Sequence, residues 1–409
     1  MYNYLCRLLL QAGTRLIYYT TPLFSKYFES IKTEYSSFHH EAATDEKIAF
    51  ELGFAGAIAS KKTACMFSTE QLFEAMDPIM TSAYTGVKKG FLIVCIKDTP
   101  HDVSFIGPFS KLPVIYSDEP QELPYVIDFS YNISEKYEIP VLLQIITDEG
   151  FDKEVLNRGK ALSFSNNNKA QFIKDAGRWA ATPSFRYKLH QVLNEKIEKI
   201  REEFESYKGN KVKIKGKTGI IITEKTDLDF YDEDTSVLKI STIFPLPERL
   251  VHGFIKQMNE VFLIEGEYPA VELQIKERSK INSEVIKIPS RIQNKGEQLL
   301  GFEIIRDWFG PASSINIAHG IKRSAPDRKV VAITYENHFL HSGMASFINV
   351  LYNNSSFVLL ITVNEMEEDI RRFMEGCGFK NIFTIKELEE LKGYNDKDGL
   401  TVYFYRGMI

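Results

Sequence analysis

The feature that most constrains the fold of this chain is the alternation of short apolar runs with helical patterns. In the first 150 residues, the apolar runs TRLIYYT, KTACMFS, GFLIVCIKD and KLPVIYS alternate with helical segments such as LFSKYFESI and EQLFEAMDPIM. Short apolar runs separated by helices are typical of a parallel sheet that helices cover on both faces. We therefore predict an α/β protein made of open, doubly wound units with mostly parallel sheets.

Three such units are predicted along the 409 residues, over 1–150, 151–290 and 291–409. The middle unit opens with a long helix whose apolar residues recur every three or four positions and make one stripe. We expect this helix to end at Gly209, where a glycine suits a helix C-terminus. The stripe consists of Leu189, Val192, Leu193, Ile197, Ile200, Phe204 and Tyr207.

Composition narrows the classes of function. A net charge of −5 gives no reason to expect a nucleic-acid partner, and the one basic run, 208–217, reads as a solvated linker. No apolar run reaches the roughly eighteen residues of a membrane span. The N-terminal segment favours an amphipathic helix that ends at Gly13 over a signal peptide, so we expect a cytoplasmic protein.

The stretch Val330–Asn364 combines two apolar runs with polar turns at their ends. The first run ends at Tyr335-Glu336-Asn337, and the second ends at Asn364, 28 positions after Glu336. In open α/β sheets, ligands bind at the edge where parallel strands end. The turns therefore mark the place where a ligand would bind in the third unit.

Several segments, in this order, carry a resemblance to one family. The chain resembles the alpha subunit of indolepyruvate:ferredoxin oxidoreductase, a thiamine diphosphate enzyme that decarboxylates aryl pyruvates. The resemblance implies a thiamine diphosphate-binding fold, with a pyrimidine-binding-like unit at 1–150 and a shortened diphosphate-binding-like unit at 291–409. The segments are DEKIA (45–49), DPIMTSAYTGVK (77–88), FPLPE (244–248), FLIE (262–265), SSINIAHG (313–320) and HSG (341–343).

The same resemblance assigns candidate site residues. Glu46 matches the glutamate that hydrogen-bonds the aminopyrimidine of thiamine diphosphate; alternatively, it is an acid that the helix dipole favours at a helix N-terminus. Glu336 and Asn364 match the Mg²⁺ ligands, since Mg²⁺ prefers oxygen donors; alternatively, they belong to a surface turn and a strand-end cap. The expected cofactor-binding residues are Thr21, Ser314, His341 and Ser342.

The chain also departs from the family pattern at positions that face the cofactor. Tyr335 replaces a glycine that lets the backbone approach the diphosphate, and Glu336 replaces a shorter aspartate. Glu365-Met366-Glu367-Glu368-Asp369 places four acidic residues where they would repel a diphosphate. Ser68 and Thr69 replace a lysine–histidine pair.

The cysteines bear on electron transfer. Four scattered cysteines do not provide the clustered thiolates of an iron–sulfur centre, so none is expected. Electrons from a decarboxylated intermediate would then have to leave through another chain.

Three hypotheses follow. In the first, the chain keeps the fold but has lost unaided catalysis, and it acts as a structural or regulatory partner. In the second, it is an active thiamine diphosphate and Mg²⁺-dependent subunit that uses Glu46, Glu336 and Asn364, with its electron carrier on another chain. In the third, Tyr335 and His338 fill the diphosphate volume and a different ligand binds. By resemblance, we expect a homodimer, or pairing with a paralogue or a second oxidoreductase subunit.

Overall fold

A computed structural model describes residues 2–35, 37–97, 102–146, 170–179, 182–223, 234–266, 268–276, 278–285, 298–299, 302–307, 310–394 and 399–407. The chain forms two compact units, Met1–Ile288 and Pro289–Ile409. Each unit is described by itself below. Among the described residues, no helix combines the length and the apolar character that crossing a membrane requires.

The first unit contains ten α-helices and twelve β-strands among its described residues. The helices are α1 (Tyr2–Gln11), α2 (Leu23–Ile31), α3 (Glu46–Ile58), α4 (Thr69–Glu74), α5 (Met76–Thr85), α6 (Ile106–Ser110), α7 (Leu123–Tyr137), α8 (Ala176–Trp179), α9 (Pro183–Phe204) and α10 (Glu248–Gln257). The strands are β1 (Leu16–Tyr19), β2 (His39–Ala42), β3 (Thr63–Ser68), β4 (Phe91–Lys97), β5 (Val114–Ser117), β6 (Val141–Ile146), β7 (Lys211–Lys213), β8 (Thr218–Ile222), β9 (Ser236–Lys239), β10 (Thr242–Phe244), β11 (Glu260–Glu265) and β12 (Ile281–Val285).

The larger sheet of the first unit has seven strands in the order β10-β5-β6-β4-β3-β1-β2. The strands pair in parallel except β10, which is antiparallel to β5. Its central strands are buried along nearly their whole length, as the continuous apolar runs predict. The predicted parallel, helix-covered sheet is confirmed.

A second sheet in this unit has five strands in the order β12-β11-β8-β9-β7. One apolar core continues from residue 4 to residue 275 and joins the two sheets with the helices between them. The predicted boundary at residue 150 falls outside the described residues, so the division of this unit into two domains stays a prediction.

The strands of the second unit are β13 (Gln298–Leu299), β14 (Phe302–Ile305), β15 (Val330–Tyr335), β16 (Val358–Thr362), β17 (Ile382–Ile385) and β18 (Thr401–Tyr405); the helices are α11 (Ser313–Ser324), α12 (Glu336–His338), α13 (Met344–Tyr352) and α14 (Glu367–Gly376). Among the described residues, these strands form one six-stranded sheet in the order β13-β14-β15-β16-β18-β17, parallel except for β13. Helices α11, α13 and α14 pack their apolar residues into one core on the same face of this sheet.

Several local predictions were wrong. EQLFEAMDPIM forms two helices, α4 and α5, because Pro78 lacks the N–H that would continue the first helix and is tolerated only in the first turn of the second. Helix α9 ends at Phe204 and not at Gly209, since Asn210 donates its side-chain N–H to the Phe204 carbonyl. The predicted linker at 208–217 contains the exposed edge strand β7.

Candidate functional site

The carboxyl ends of β1, β2 and β3 lie side by side and bring the predicted site residues of the first unit together. Thr20 and Thr21 follow β1, and Glu46 begins α3 soon after β2. Gln71 lies in α4, directly after β3. Because parallel strands end at the same edge, these side chains meet although they lie up to 51 positions apart in sequence.

Glu46 is buried at the start of α3, with only 4% of its surface exposed. The Thr20 hydroxyl donates to its Oε1 at 2.7 Å. Asp45 caps the helix, because its side chain accepts from the Ile48 N–H at 3.1 Å. The carboxylate of Glu46 is therefore held in one place at the sheet edge, which suits both a ligand-binding acid and a helix N-terminal acid.

Gln71 connects Thr20 and Thr21 to the end of β3. Its Nε2 donates to the Thr20 hydroxyl at 2.8 Å and to the Thr21 hydroxyl at 3.1 Å. Its Oε1 accepts from the Ser68 N–H at 2.9 Å, which completes a capping box on α4. Ser68 occupies one of the two positions at which the family has a lysine–histidine pair. Both Ser68 and Thr21 thus belong to a network of hydrogen bonds between uncharged groups.

In the second unit, the two turns of the expected metal site are joined directly by a side chain. Oε2 of Glu336 accepts from the backbone N–H groups of Asn364 at 2.8 Å, Glu365 at 3.1 Å and Met366 at 3.0 Å. The structure therefore brings Glu336 and Asn364 together as the spacing predicted. The contact runs from a carboxylate to main-chain donors, and the Asn364 side chain is exposed. We call this arrangement the Glu336 clamp.

Asp307 organises the neighbouring strand end. It lies two residues beyond β14 and accepts from the Thr334 hydroxyl at 2.7 Å, from His338 Nδ1 at 2.8 Å and from the Ser314 N–H at 3.1 Å. Burial alone would raise the pKa of Asp307, but the hydrogen bonds from His338, Ser314 and Thr334 outweigh it and hold that pKa below its usual value. His338 is therefore engaged by a buried carboxylate.

The HSG turn is anchored to the loop before α11. The Ser342 hydroxyl donates to the Pro311 carbonyl at 2.6 Å. Gly343 lies so close to this loop that an added Cβ would be 3.2 Å from the Cβ of Ala312 and 2.9 Å from Phe339. Ser342 is thus occupied in packing, Ser314 starts α11, and His341 is half-buried in a single π-helical turn at Phe339–Gly343.

The acidic segment 365–369 is partly neutralised. Glu367 contacts Arg371, Arg406 and the Thr384 hydroxyl. Burial would raise the pKa of Glu367, but its contacts with Thr384, Arg406 and Arg371 lower it overall. One of the four acids thus serves to join α14 to β17 and to the end of the chain, whereas Glu365, Glu368 and Asp369 are exposed.

The sequence prediction missed Thr20, Gln71 and Asp307. The spacing Ser68-x-x-Gln71 is a capping-box pattern and could have located Gln71. An aspartate that follows the strand-like run FEII could have identified Asp307 as a strand-end residue at the same sheet edge. Neither signal specifies the tertiary hydrogen bonds that these residues make.

Comparison with known proteins confirms the resemblance. The chain is 29% identical over 253 residues to indolepyruvate oxidoreductase subunit IorA of Archaeoglobus fulgidus, and 30% identical over 256 residues to that of Pyrococcus abyssi. Both alignments cover 58% of this chain, and 40% and 39% of the relatives. The chain thus spans about two fifths of the length of the curated relatives it matches. A scan against protein-family models finds no match.

Among solved structures, the chain is similar to 2-oxoglutarate:ferredoxin oxidoreductase from Magnetococcus marinus, with a TM-score of 0.52 at 13% sequence identity. The match covers 69% of this chain and 61% of that one. At this identity the similarity concerns the fold, and it agrees with the predicted α/β class.

Proposed function

We propose that this chain is a catalytically impaired relative of the thiamine diphosphate-dependent aryl pyruvate:ferredoxin oxidoreductase alpha subunit, and that it acts as a structural or regulatory partner. It would pair with a second copy of itself, a paralogue or a second oxidoreductase subunit. Its similarity to indolepyruvate oxidoreductase subunits supports the family part of this proposal.

We infer the loss of catalysis from the Glu336 clamp. A metal ion at these turns would need lone pairs directed at it, and Mg²⁺ requires near-octahedral oxygen ligands. Here three N–H groups direct their positive ends at one oxygen of Glu336. These donors disfavour a cation at that oxygen and already join the two turns. The residues present therefore do not fit a metal-bound diphosphate.

The retained motifs support the structural part of the proposal. Arg178 donates to two backbone carbonyls of the DPIMTSAYTGVK segment, that of Thr85 at 3.0 Å and that of Val87 at 2.6 Å. Arg178 and Lys88 both contact the carboxylate of Glu138. The most specific match to the family thus serves to pack one corner of the first unit, a role that persists without catalysis.

One observation favours the alternative of an active thiamine diphosphate and Mg²⁺-dependent subunit. Glu46 is buried and fixed by Thr20 at the sheet edge, as an acid that contacts an aminopyrimidine requires. In this alternative the electron carrier resides on another chain. Glu46 would then be needed for cofactor binding, and the Glu336 clamp would have to open.

The test is calorimetric titration of thiamine diphosphate into the purified chain, first with Mg²⁺ and then with EDTA. We expect no saturable heat up to millimolar cofactor in either buffer, because the Glu336 clamp leaves no metal to hold the diphosphate. Circular dichroism on the same sample shows that the protein is folded.

Matched variants make the two outcomes distinct. Micromolar, Mg²⁺-dependent binding that Glu336→Ala and Glu46→Gln each abolish would overturn the proposal and establish the active alternative. Glu368→Ala removes an exposed acid of the segment 365–369; it is the control and should leave any binding unchanged. Metal-independent binding of another nucleotide or acid would instead support a different ligand at this edge.

A further inference from the structure

Packing does not explain one residue of the DPIMTSAYTGVK segment, Tyr84. The backbone of Thr85 and Val87 is held by Arg178, whereas Tyr84 stays partly exposed near the end of α5. Tyr84 lines a surface cleft of about 450 Å³ in the first unit. A cleft of this size lies in the range that small-molecule ligands occupy.

The rest of the cleft is lined by one side of helix α9. The lining residues are Pro183, Arg186, Tyr187 and His190. They recur at steps of three and four positions, and they therefore share one side of the helix. This side belongs to the first two turns of a 22-residue helix, so a long regular element sets the positions of these residues.

The cleft offers two tyrosine rings to a ligand. His190 holds the Tyr84 ring, since the two rings stack with centroids 5.7 Å apart and His190 Nδ1 hydrogen-bonds the Tyr84 hydroxyl at 3.2 Å. Tyr187 is 72% exposed and makes no ring contact within the part of the chain that the structure describes. Because aromatic rings associate by offset stacking or edge contact, these two rings favour a planar aromatic ligand.

Arg186 gives the cleft a positive charge. Its Cζ lies 5.3 Å from the centroid of the Tyr84 ring. Among the described residues, no carboxylate forms an ion pair with Arg186, and no residue that lines the cleft is acidic. A guanidinium presents N–H donors in a planar fork that matches the two oxygens of a carboxylate. The cleft therefore favours an anion and disfavours a cation.

We propose that this cleft is a binding site for a small planar aromatic carboxylate. The carboxylate faces Arg186, and the aromatic ring lies against Tyr84 and Tyr187. One guanidinium matches the single charge of a monocarboxylate. A phosphate monoester carries about −1.5 to −2 charge at pH 7, which one guanidinium does not offset. The cleft thus selects an aromatic acid over a nucleotide.

This inference goes beyond the proposed function. A chain that binds an aromatic acid without converting it can report the level of that acid, which is one way to act as a regulatory partner. The cleft lies within the first unit, and none of its residues belongs to the Glu336 clamp. Binding here is measured without thiamine diphosphate or Mg²⁺, so this inference and the proposed function can each fail alone.

Calorimetric titration of the full chain with 2-naphthoate tests the site. We expect saturable one-to-one binding. The neutral 2-naphthamide should bind at least about tenfold more weakly, since it lacks the charge that strengthens hydrogen bonds to Arg186. Decahydro-2-naphthoate keeps the charge but has no aromatic ring, and it should bind about threefold more weakly or worse.

Three results of this titration would overturn the proposal. The first is no binding of 2-naphthoate at millimolar concentration by the folded chain. The second is equal binding of all three compounds, which would show attraction to neither the charge nor the ring. The third is tighter binding of AMP than of 2-naphthoate, which would identify the site as one for nucleotides.

Variants assign the binding to this cleft. Arg186→Gln should weaken 2-naphthoate binding at least about tenfold while leaving 2-naphthamide unchanged, because only the carboxylate needs the guanidinium. Tyr187→Ala should weaken both compounds, because both stack on its ring. Both side chains are exposed, so circular dichroism should show the wild-type fold in each variant.

Lys188→Gln is the matched control for Arg186→Gln. Lys188 is also an exposed cation of α9, but its position in the helix lies on another side from the cleft residues. It should bind 2-naphthoate as the wild type does. Equal weakening by Lys188→Gln and Arg186→Gln would show a general attraction of anions to a basic helix, and it would overturn the assignment of a site.

Discussion

Gly86 shows at the scale of one residue why a family motif can persist for packing alone. Its φ is +64°, and a Cβ added to it would lie 2.2 Å from the Glu138 carbonyl oxygen. No side chain fits in that space, and other residues adopt such a φ only at a cost. The glycine in the SAYTG segment is therefore required because the backbone at Glu138 lies against it. This requirement does not depend on a cofactor.

Gly86→Ala should lower the free energy of unfolding of the first unit more than Gly13→Ala does. Gly13 also has a positive φ, +87°, but no heavy atom lies within 4 Å of the position where its Cβ would stand. The difference between the two variants isolates the steric clash, which we expect to cost about 1–3 kcal/mol. Urea unfolding measures both, and equal losses would show that Glu138 does not confine Gly86.

At the scale of elements, α7, α8 and α9 converge on one residue, Glu138. Glu138, just after α7, contacts Arg178 of α8 and Lys88, and its carbonyl accepts from Lys196 of α9 at 3.2 Å. Burial lowers the pKa of Lys196 to about 8, and the nearby charges of Arg178 and Lys88 act in the same direction, whereas Glu138 opposes them. The helices thus assemble around more positive than negative charge.

The stability of the first unit should rise with pH because of Lys196. Its folded-state pKa of about 8 lies below the ordinary value of 10.5, so between these values the unfolded chain binds more protons. The stabilising contribution is complete above pH 10.5 and is lost as the pH falls to about 8. Lys196→Met should flatten the rise in urea-unfolding free energy across this window, whereas Lys199→Met, at an exposed position of α9, should not. An unchanged slope in Lys196→Met would contradict this assignment.

Central strands could be predicted from the sequence, but edge strands could not. Apolar runs such as FLIVC follow directly from burial on both faces. His39–Ala42 forms β2, a polar edge strand whose residues carry no apolar alternation. His40 alone turns inward there, where it stacks with Tyr19 and Phe28. Such strands form because they pair with a neighbouring strand, and a local sequence pattern does not show that pairing.

The sequence likewise predicts one part of the candidate site and leaves another part open. The position of Glu336 and Asn364 at one sheet edge followed from strand ends and spacing. The Glu336 clamp did not, because which donors a carboxylate meets depends on the tertiary path of the chain after β16.

For the whole molecule, two compact units with separate apolar cores predict two unfolding transitions. Trp179 lies in the first unit, and it is the remaining tryptophan of Trp308→Phe. Fluorescence of Trp308→Phe therefore follows the first unit by itself, and far-ultraviolet circular dichroism follows both units. Gly86→Ala should shift only the transition that Trp179 reports, and a shift of both transitions would indicate a single cooperative unit.

The measurement that tests the central claim most directly is the stability of the second unit, for wild type and Glu336→Gln, in Mg²⁺ with thiamine diphosphate and in EDTA. We expect the wild type to unfold at the same urea concentration in both buffers, since a ligand stabilises only a protein that binds it. Glu336→Gln should lose about 1.5–3 kcal/mol in both, the usual contribution of hydrogen bonds to a charged group. A wild type that Mg²⁺ and thiamine diphosphate stabilise, with that gain lost in Glu336→Gln but kept in Glu368→Gln, would show that Glu336 holds a metal.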